Sequence, residues 1–286
     1  MQLTLNIFIL LILNVGKGNK MKYNKLTIFL KYLWYLLKAS NGKGHGIHSP
    51  FVFSFIKEVL NKKNEGVWAT KIENYRNQLF SNKQTIAILD LGAGATQQTH
   101  KIKKVAQIAK GALKSKKYSR LLNRMVAYFK PNAVLEMGTS LGITTCYLAQ
   151  AMPNVKLVTM EGAPEVADIA RSTFQNLGYT NIQLVVGNFD QNLPLYLNEI
   201  DQVGLVFIDG NHSYAPTMDY FNQLLSKSNQ DAIFIFDDIH WSVEMESAWK
   251  EIKNDKRVSV TVDLFYIGIV FLKKENKQKE NFIIRF

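Results

Sequence analysis

Cysteine is almost absent from this 286-residue chain: Cys146 stands alone. One thiol cannot close an intrachain disulfide, and no spacing resembles a zinc knuckle. A disulfide-framed secreted domain is therefore excluded, and a reducing cytoplasm is the expected setting. Cys146 falls in an apolar segment and reads as a small buried hydrophobe. Long apolar runs are missing too. Leu3 to Val15 is shorter than the roughly 20 residues that a membrane span needs. It also lacks the basic start and small-residue cleavage site of a signal peptide. Met21 then opens Lys22-Tyr-Asn-Lys25 and a helical pattern. The native start is expected at Met21, with residues 1–20 a mis-called or disordered leader.

Acidic residues are the third scarcity, 23 against 35 lysines and arginines, which leaves a net charge of +12. Such an excess raises a nucleic-acid partner. The basic clusters at Lys101–Lys104, Lys114–Lys117 and Lys273–Lys279 carry none of the interleaved aromatics that stack bases. They read as solvated surface, and nucleic acid is not the expected partner.

What is present is a globular composition, 47% hydrophobic and 12% aromatic, with room for one large α/β domain and an extension. The most informative stretch is Val134-Leu-Glu-Met-Gly-Thr-Ser-Leu-Gly142. An apolar strand (133–137) runs into Gly138, and Gly142 opens a helix, which brings bare backbone N–H groups up to a ligand. A second strand (155–160) ends in Glu161, about where a Rossmann-type site holds ribose hydroxyls. Ile86-Ala-Ile-Leu-Asp-Leu-Gly-Ala-Gly94 imitates this turn, but helix-like segments (101–113, 118–129) follow it instead of a strand ending in an acid. It is assigned to a loop near the substrate mouth or to a structural role.

Further strands are expected at 182–186, 203–208 and 231–236, continuous apolar runs as burial on both faces requires. Their alternation with helices predicts a mostly parallel sheet. Val258–Leu264 and Ile267–Leu272 are too close for a crossover and must form an antiparallel hairpin. Leu26 to Ala39 is a basic amphipathic helix suited to a membrane surface, a second subunit or the core domain. His45 and His48 flank a glycine-rich break and are expected to be solvated.

Ligands of open α/β sheets bind at the carboxyl ends of strands. Those ends carry Glu136, Glu161, Asn188, Phe189, Asp209, Asp237 and Asp238. Three aspartates at neighbouring ends would repel one another unless a cation sits among them, and hard divalent ions such as Mg²⁺ take such ligands. Capping of the following helices is the competing role for each acid. His212 stands between a general base and simple loop packing.

These residues resemble class I S-adenosylmethionine-dependent methyltransferases, and are similar to the metal-dependent O-methyltransferases of catechol and macrolide-sugar type. The resemblance covers roughly residues 118–273. It implies a Rossmann-like fold with a seven-stranded sheet that ends in the hairpin. Glu136, Gly138, Thr139, Ser140 and Gly142 would hold the methionine portion of the cofactor; Glu161 and Gly162 the ribose; Asn188 and Phe189, in place of the usual Gly-Asp, the adenine. Asp209, Gly210, His212 and Tyr214 match the family's Asp-Gly-x-His-x-Tyr. Asp209 would also touch the cofactor and, with Asp237 and Asp238, ligate Mg²⁺; Asp209 and His212 would carry catalysis. Gly-Ile-His-Ser-Pro-Phe-Val-Phe at 46–53 resembles the N-terminal part of a bacterial methyltransferase group.

The expected function is O-methylation of a small-molecule hydroxyl, with Mg²⁺ assistance. The expected organisation is a largely helical extension at 21–115, the catalytic domain at 116–273 and a basic tail with a short strand at 274–286. A homodimer, and membrane-surface contact through 25–39 of a cytoplasmic protein, are the expected associations. RNA or protein methylation is the first alternative, but no Asn/Asp-Pro-Pro-aromatic motif is present and Cys146 is badly placed for cytosine chemistry. An NAD(P)-dependent oxidoreductase is disfavoured by Gly-x-x-x-Gly and by the hairpin; a non-catalytic binding module, by the acidic strand ends.

Overall fold

The computed structural model describes residues 22–63, 66–89, 100–273 and 278–286. The leader before Met21 and the glycine motif at Asp90–Gly94 lie outside the described residues. Helices α1 (Lys25–Lys38), α2 (Pro50–Phe55, continued by a π-helical turn at Ile56–Leu60) and α3 (Val67–Ser81) come first. Strands β1 (Thr85–Leu89) and β2 (His100–Lys104) pair antiparallel, followed by α4 (Val105–Ala112) and α5 (Lys116–Phe129). The expected helix at 101–113 is thus a strand and a shorter helix. The largely helical extension contains a two-stranded sheet.

From here strands and helices alternate: β3 (Val134–Met137), α6 (Ile143–Gln150), β4 (Leu157–Glu161), α7 (Pro164–Leu177), β5 (Ile182–Val186), α8 (Phe189–Glu199), β6 (Val203–Ile208), α9 (Tyr214–Ser226), β7 (Ser228–Asp237) and α10 (Val243–Asn254). The hairpin β8 (Val260–Asp263) and β9 (Ile267–Phe271) follows, then β10 (Glu280–Ile283). The eight-stranded sheet runs β10-β8-β9-β7-β6-β3-β4-β5, with β9 antiparallel to both neighbours. The seven expected strands are all there, and the tail strand adds the eighth by pairing parallel with β8.

Side-chain alternation along the strands divides the interior into layers. Leu135, Met137, Val206, Ile208, Phe234 and Phe236 meet Leu193, Phe221, Leu224 and Trp249 of α8 to α10. Val134, Leu205, Phe207, Ile233 and Ile235 point the other way, onto Val52, Phe55, Leu121, Leu122 and Met125 of α2 and α5. A third cluster joins α3 and α4 to α6 and α7. The N-terminal elements are therefore integral to the covering of the sheet.

The chain lays down β3, β4 and β5 in one direction and returns to place β6 on the other side of β3. A crevice opens at such a reversal, outside the carboxyl ends of the strands. Registry fixes what meets there. Met137 lies opposite Ile208, and Ile208 opposite Phe236. Gly138, Asp209 and Asp237 consequently emerge side by side.

Helix α1 is fastened over the hairpin by polar contacts. Tyr23 Oη donates to Glu246 at 2.8 Å, and Lys31 Nζ pairs with Glu246 at 2.9 Å. His240 bridges Glu246 (Nδ1, 3.0 Å) and Asp263 (Nε2, 2.9 Å) with its ring stacked on Phe265. Burial opposes charge on this imidazole, but the bonds to Asp263 and Glu246 overcome it and raise its pKa to about 9. A pKa higher in the folded than in the unfolded chain gives stability that is complete below about pH 6.5 and declines as pH rises through about 9. The difference amounts to roughly 3 kcal/mol. Urea unfolding at pH 6 and 9.5 is expected to show a larger loss for the wild type than for His240→Ala. Equal losses would contradict a charged bridge.

Candidate functional site

The turn after β3 is built on backbone conformations that few side chains tolerate. Gly138 has φ +107°, and a Cβ there would meet the Asp209 carbonyl oxygen at 2.0 Å. Gly142, at φ +81°, begins α6 against the Phe174 ring. Ser140, Asn211 and Asp238 are non-glycine residues with positive φ, and all three line one cavity. Strain gathered around a hollow is characteristic of functional sites.

That cavity, about 610 Å³, lies at the carboxyl ends of β3 to β7. Gly138, Ser140, Glu161, Gly162, Asn188, Phe189, Asp209, His212 and Asp238 form its wall, joined by Lys114, Asn211 and Trp241. Glu136 and Thr139 sit behind the turn, and Gly142 closes it outside the wall. Glu136 is fully buried, and its Oε2 accepts from the hydroxyls of Thr145 and Thr159. Burial dominates its titration and pushes it up to about 8. The Thr139 hydroxyl is 2.6 Å from that of Thr159.

Glu161 is held by backbone donors: Ser140 N–H at 2.8 Å to Oε2 and Ala163 N–H at 3.0 Å to Oε1. Burial outweighs these bonds and raises its pKa. Asn188 caps α8, with Oδ1 accepting from Asp190 N–H at 2.9 Å. His45 and His48 are exposed and are not among the residues that form this wall.

Ser213 and Ser242 occupy the N-cap positions of α9 and α10, Ser242 with its hydroxyl accepting from Met245 N–H, so Asp209, Asp237 and Asp238 are not the capping residues. An Asp209 oxygen, an Asp237 oxygen and a His212 nitrogen lie within 4.8 Å of one another. His212 Nε2 is 3.5 Å from Asp209 Oδ1. The position expected for a metal is held by the side chain of Lys114. Its ammonium donates directly to Asp237 Oδ2 and lies 3.4 Å from Asp209 Oδ1. A divalent ion and this ammonium cannot occupy the same space, so the residues as arranged do not fit a metal.

The same contact corrects the expectation that Lys114 is part of a solvated cluster. Burial works against its charge, but Asp237, Asp209 and Asp238 hold it above the ordinary lysine range. Burial, then the neighbouring Asp209, raises Asp237 to about 7 despite the lysine. Burial likewise raises Asp209, with Lys114 pulling the other way, and Asp238. The acid trio announces in the sequence that a cation is needed; nothing local to residue 114 announces that it supplies one.

Residues 135–239 match the family model described as a methyltransferase domain. Over 111 residues the chain is 30% identical to O-methyltransferase imqG of Aspergillus flavus, covering 37% of this chain and 44% of that protein. It is 29% identical over 109 residues to a catechol O-methyltransferase of Niastella koreensis, covering 37% and 48%. The chain thus spans about half the length of these curated relatives. The fold is similar to that of the Podospora anserina methyltransferase PaMTH1, with a TM-score of 0.56 at 12% identity over 90% of this chain and 100% of that one. It is also similar to the Streptomyces achromogenes O-methyltransferase TomG, at 0.51 and 18% over 78% and 95%.

Gly138→Ala tests the turn directly. Left-handed strain and the clash with Asp209 are expected to cost more than about 2 kcal/mol in thermal or urea unfolding. Wild-type stability in this variant would mean that the turn is not built as described. The sheet order, the switch-point crevice and the matched segment agree: the chain has the Rossmann-like fold of class I methyltransferases, and its residues 135–239 match a methyltransferase domain.

Proposed function

We propose that this protein is an S-adenosylmethionine-dependent methyltransferase acting on a hydroxyl group of a small molecule. One observation carries the reading. The cavity joins a carboxylate oriented by backbone N–H groups, Glu161, to a bare glycine turn, and the same cavity reaches Asp209 and His212. S-adenosylmethionine, when bound, supplies a methyl group activated by its positively charged sulfur.

The protein's part is placement and proton handling. Glu161 accepts from the ribose hydroxyls, with Gly162 alongside. Asn188 and Phe189 border the adenine. Gly138, Ser140 and Gly142 shape the turn that receives the methionine portion, and Glu136 and Thr139 brace it from behind. Asp209, between turn and cavity, borders both cofactor and acceptor. His212, partnered with Asp209, takes the proton that the acceptor hydroxyl gives up as it is methylated. The metal role that the resemblance implies for Asp209, Asp237 and Asp238 does not enter this scheme, because Lys114 fills the space.

Calorimetric titration with S-adenosylhomocysteine tests the reading. Binding is expected in the wild type and at least ~10-fold weaker in Glu161→Ala, a loss of about 1.4 kcal/mol or more. Asp209→Ala is expected to lower methyl transfer to an identified acceptor by at least ~100-fold. A folded wild type that binds no S-adenosylhomocysteine would refute the proposal.

The outer face of α1 supports a cytoplasmic protein that works at a membrane surface. Leu26, Phe29 and Leu37 are 66%, 56% and 78% exposed, and Lys25 and Lys38 bracket them. Among the described residues no helix is long and apolar enough to cross a membrane. Sedimentation with anionic phosphatidylglycerol vesicles is expected, and loss of it in Leu26→Glu/Leu37→Glu. If vesicles capture nothing and the wild type sediments as a dimer that the double variant disrupts, this face pairs two copies instead.

A further inference from the structure

We infer that Lys114 is the resident cation of the acceptor site, so that the carboxylate cluster works without a divalent metal. This rests on the methyltransferase reading and concerns the same cavity. Three observations carry it.

The first is position. The Lys114 ammonium contacts Asp237 and reaches Asp209 at 3.4 Å, the two carboxylates that adjacent strand ends force together. Asp237 is 1% exposed and cannot be neutralised by solvent. A buried carboxylate pair of this kind can stay fully charged only beside a positive partner.

The second is construction. Lys114 lies in the short connection between α4 and α5, and its carbonyl accepts from Arg76 Nη1 of α3. Arg76 is itself 4% exposed. It is fixed by Glu73 (Nε to Oε1, 3.0 Å) and by the Ser119 hydroxyl (Nη2, 3.2 Å). Glu73 also accepts from Tyr147 Oη at 2.7 Å, on the helix that follows the glycine turn. A buried arginine with three partners thus anchors the backbone from which the lysine reaches the acids.

The third is chemistry. An ammonium has three N–H donors and a fixed unit charge. Asp237 engages one, Asp209 lies at ion-pair distance, and Lys114 also forms part of the cavity wall, so a donor can be presented to one acceptor oxygen. It can hold and polarise a single hydroxyl. A divalent ion would instead offer adjacent coordination positions to a pair of vicinal oxygens. The acceptor class that fits is therefore one with a single reacting hydroxyl and no need for a neighbouring one.

Manganese binding, read by electron paramagnetic resonance, tests the inference without an acceptor. The wild type is expected to leave Mn²⁺ free at millimolar concentration. Lys114→Ala, which removes the cation and leaves the acids, is expected to bind one Mn²⁺ per chain. Adding Asp237→Asn to it should weaken that binding at least ~10-fold, since it removes one anionic ligand. Lys114→Arg, which keeps the charge, should remain metal-free. Circular dichroism checks each fold; should Lys114→Ala not fold, the wild type and Lys114→Arg decide. Tight Mn²⁺ binding by the wild type that is lost in Asp237→Asn would overturn the inference. So would a folded Lys114→Ala that binds no Mn²⁺. Titrating S-adenosylhomocysteine into the same samples separates the two readings, because cofactor binding can fail while the metal pattern holds.

Discussion

Parallel pairing of β6 with β7 sets Ile208 opposite Phe236 and leaves Asp209 and Asp237 shoulder to shoulder where both strands end. Two carboxylates so close, one of them almost wholly buried, cannot both stay charged without a positive partner. The position of the N-terminal region answers to that constraint. Helix α3 supplies Arg76, Arg76 holds the backbone of Lys114, and Lys114 carries its charge into the cluster. The elements before β3 therefore complete the electrostatics of the strand ends as well as covering a face of the sheet.

The same strand ends account for the rest of the site. Gly138 has no side chain because the Asp209 carbonyl occupies the space that a Cβ would need. Ser140 adopts positive φ and turns its N–H toward Glu161. That bond links the turn after β3 to the end of β4, so Glu161 and the glycine turn share one rigid frame. On the far side, the bridge of His240 between Glu246 and Asp263 ties the loop after β7 to the hairpin and, through Glu246, to α1. The loop after β7 is thus framed by segments that lie far apart in sequence and are held by charged contacts.

The central sheet was legible because each strand from β3 to β7 is a largely apolar run that ends at a glycine or an acid. The expected spans differ from the observed ones by three residues or fewer at any end, as at Ser228–Asp237. The closing hairpin was legible from the shortness of its connection. The β1–β2 pair was not. Its partners Thr85–Leu89 and His100–Lys104 are separated by ten residues, far more than a tight hairpin turn, and β2 carries a single apolar residue, Ile102, which establishes no period. Glu136 begins the motif, and its place beneath the turn, where two threonine hydroxyls hold it, is set by contacts that the motif alone does not specify. Lys114 was hidden for a different reason. Its partner is 123 residues away, and within its own segment it is one lysine among several. The sequence states the need for a cation at Asp209 and Asp237, and only the packing of α3 against α4, with Arg76 bonded to the Lys114 carbonyl, determines which group meets it.

The most direct test is a crystal structure of the wild-type protein grown with S-adenosylhomocysteine and manganese, with data collected at the manganese absorption edge. The account predicts the nucleoside in the cavity against Glu161, the Lys114 ammonium between Asp237 and Asp209, and no anomalous peak there. A manganese peak among Asp209, Asp237 and Asp238, with Lys114 turned away, would contradict it.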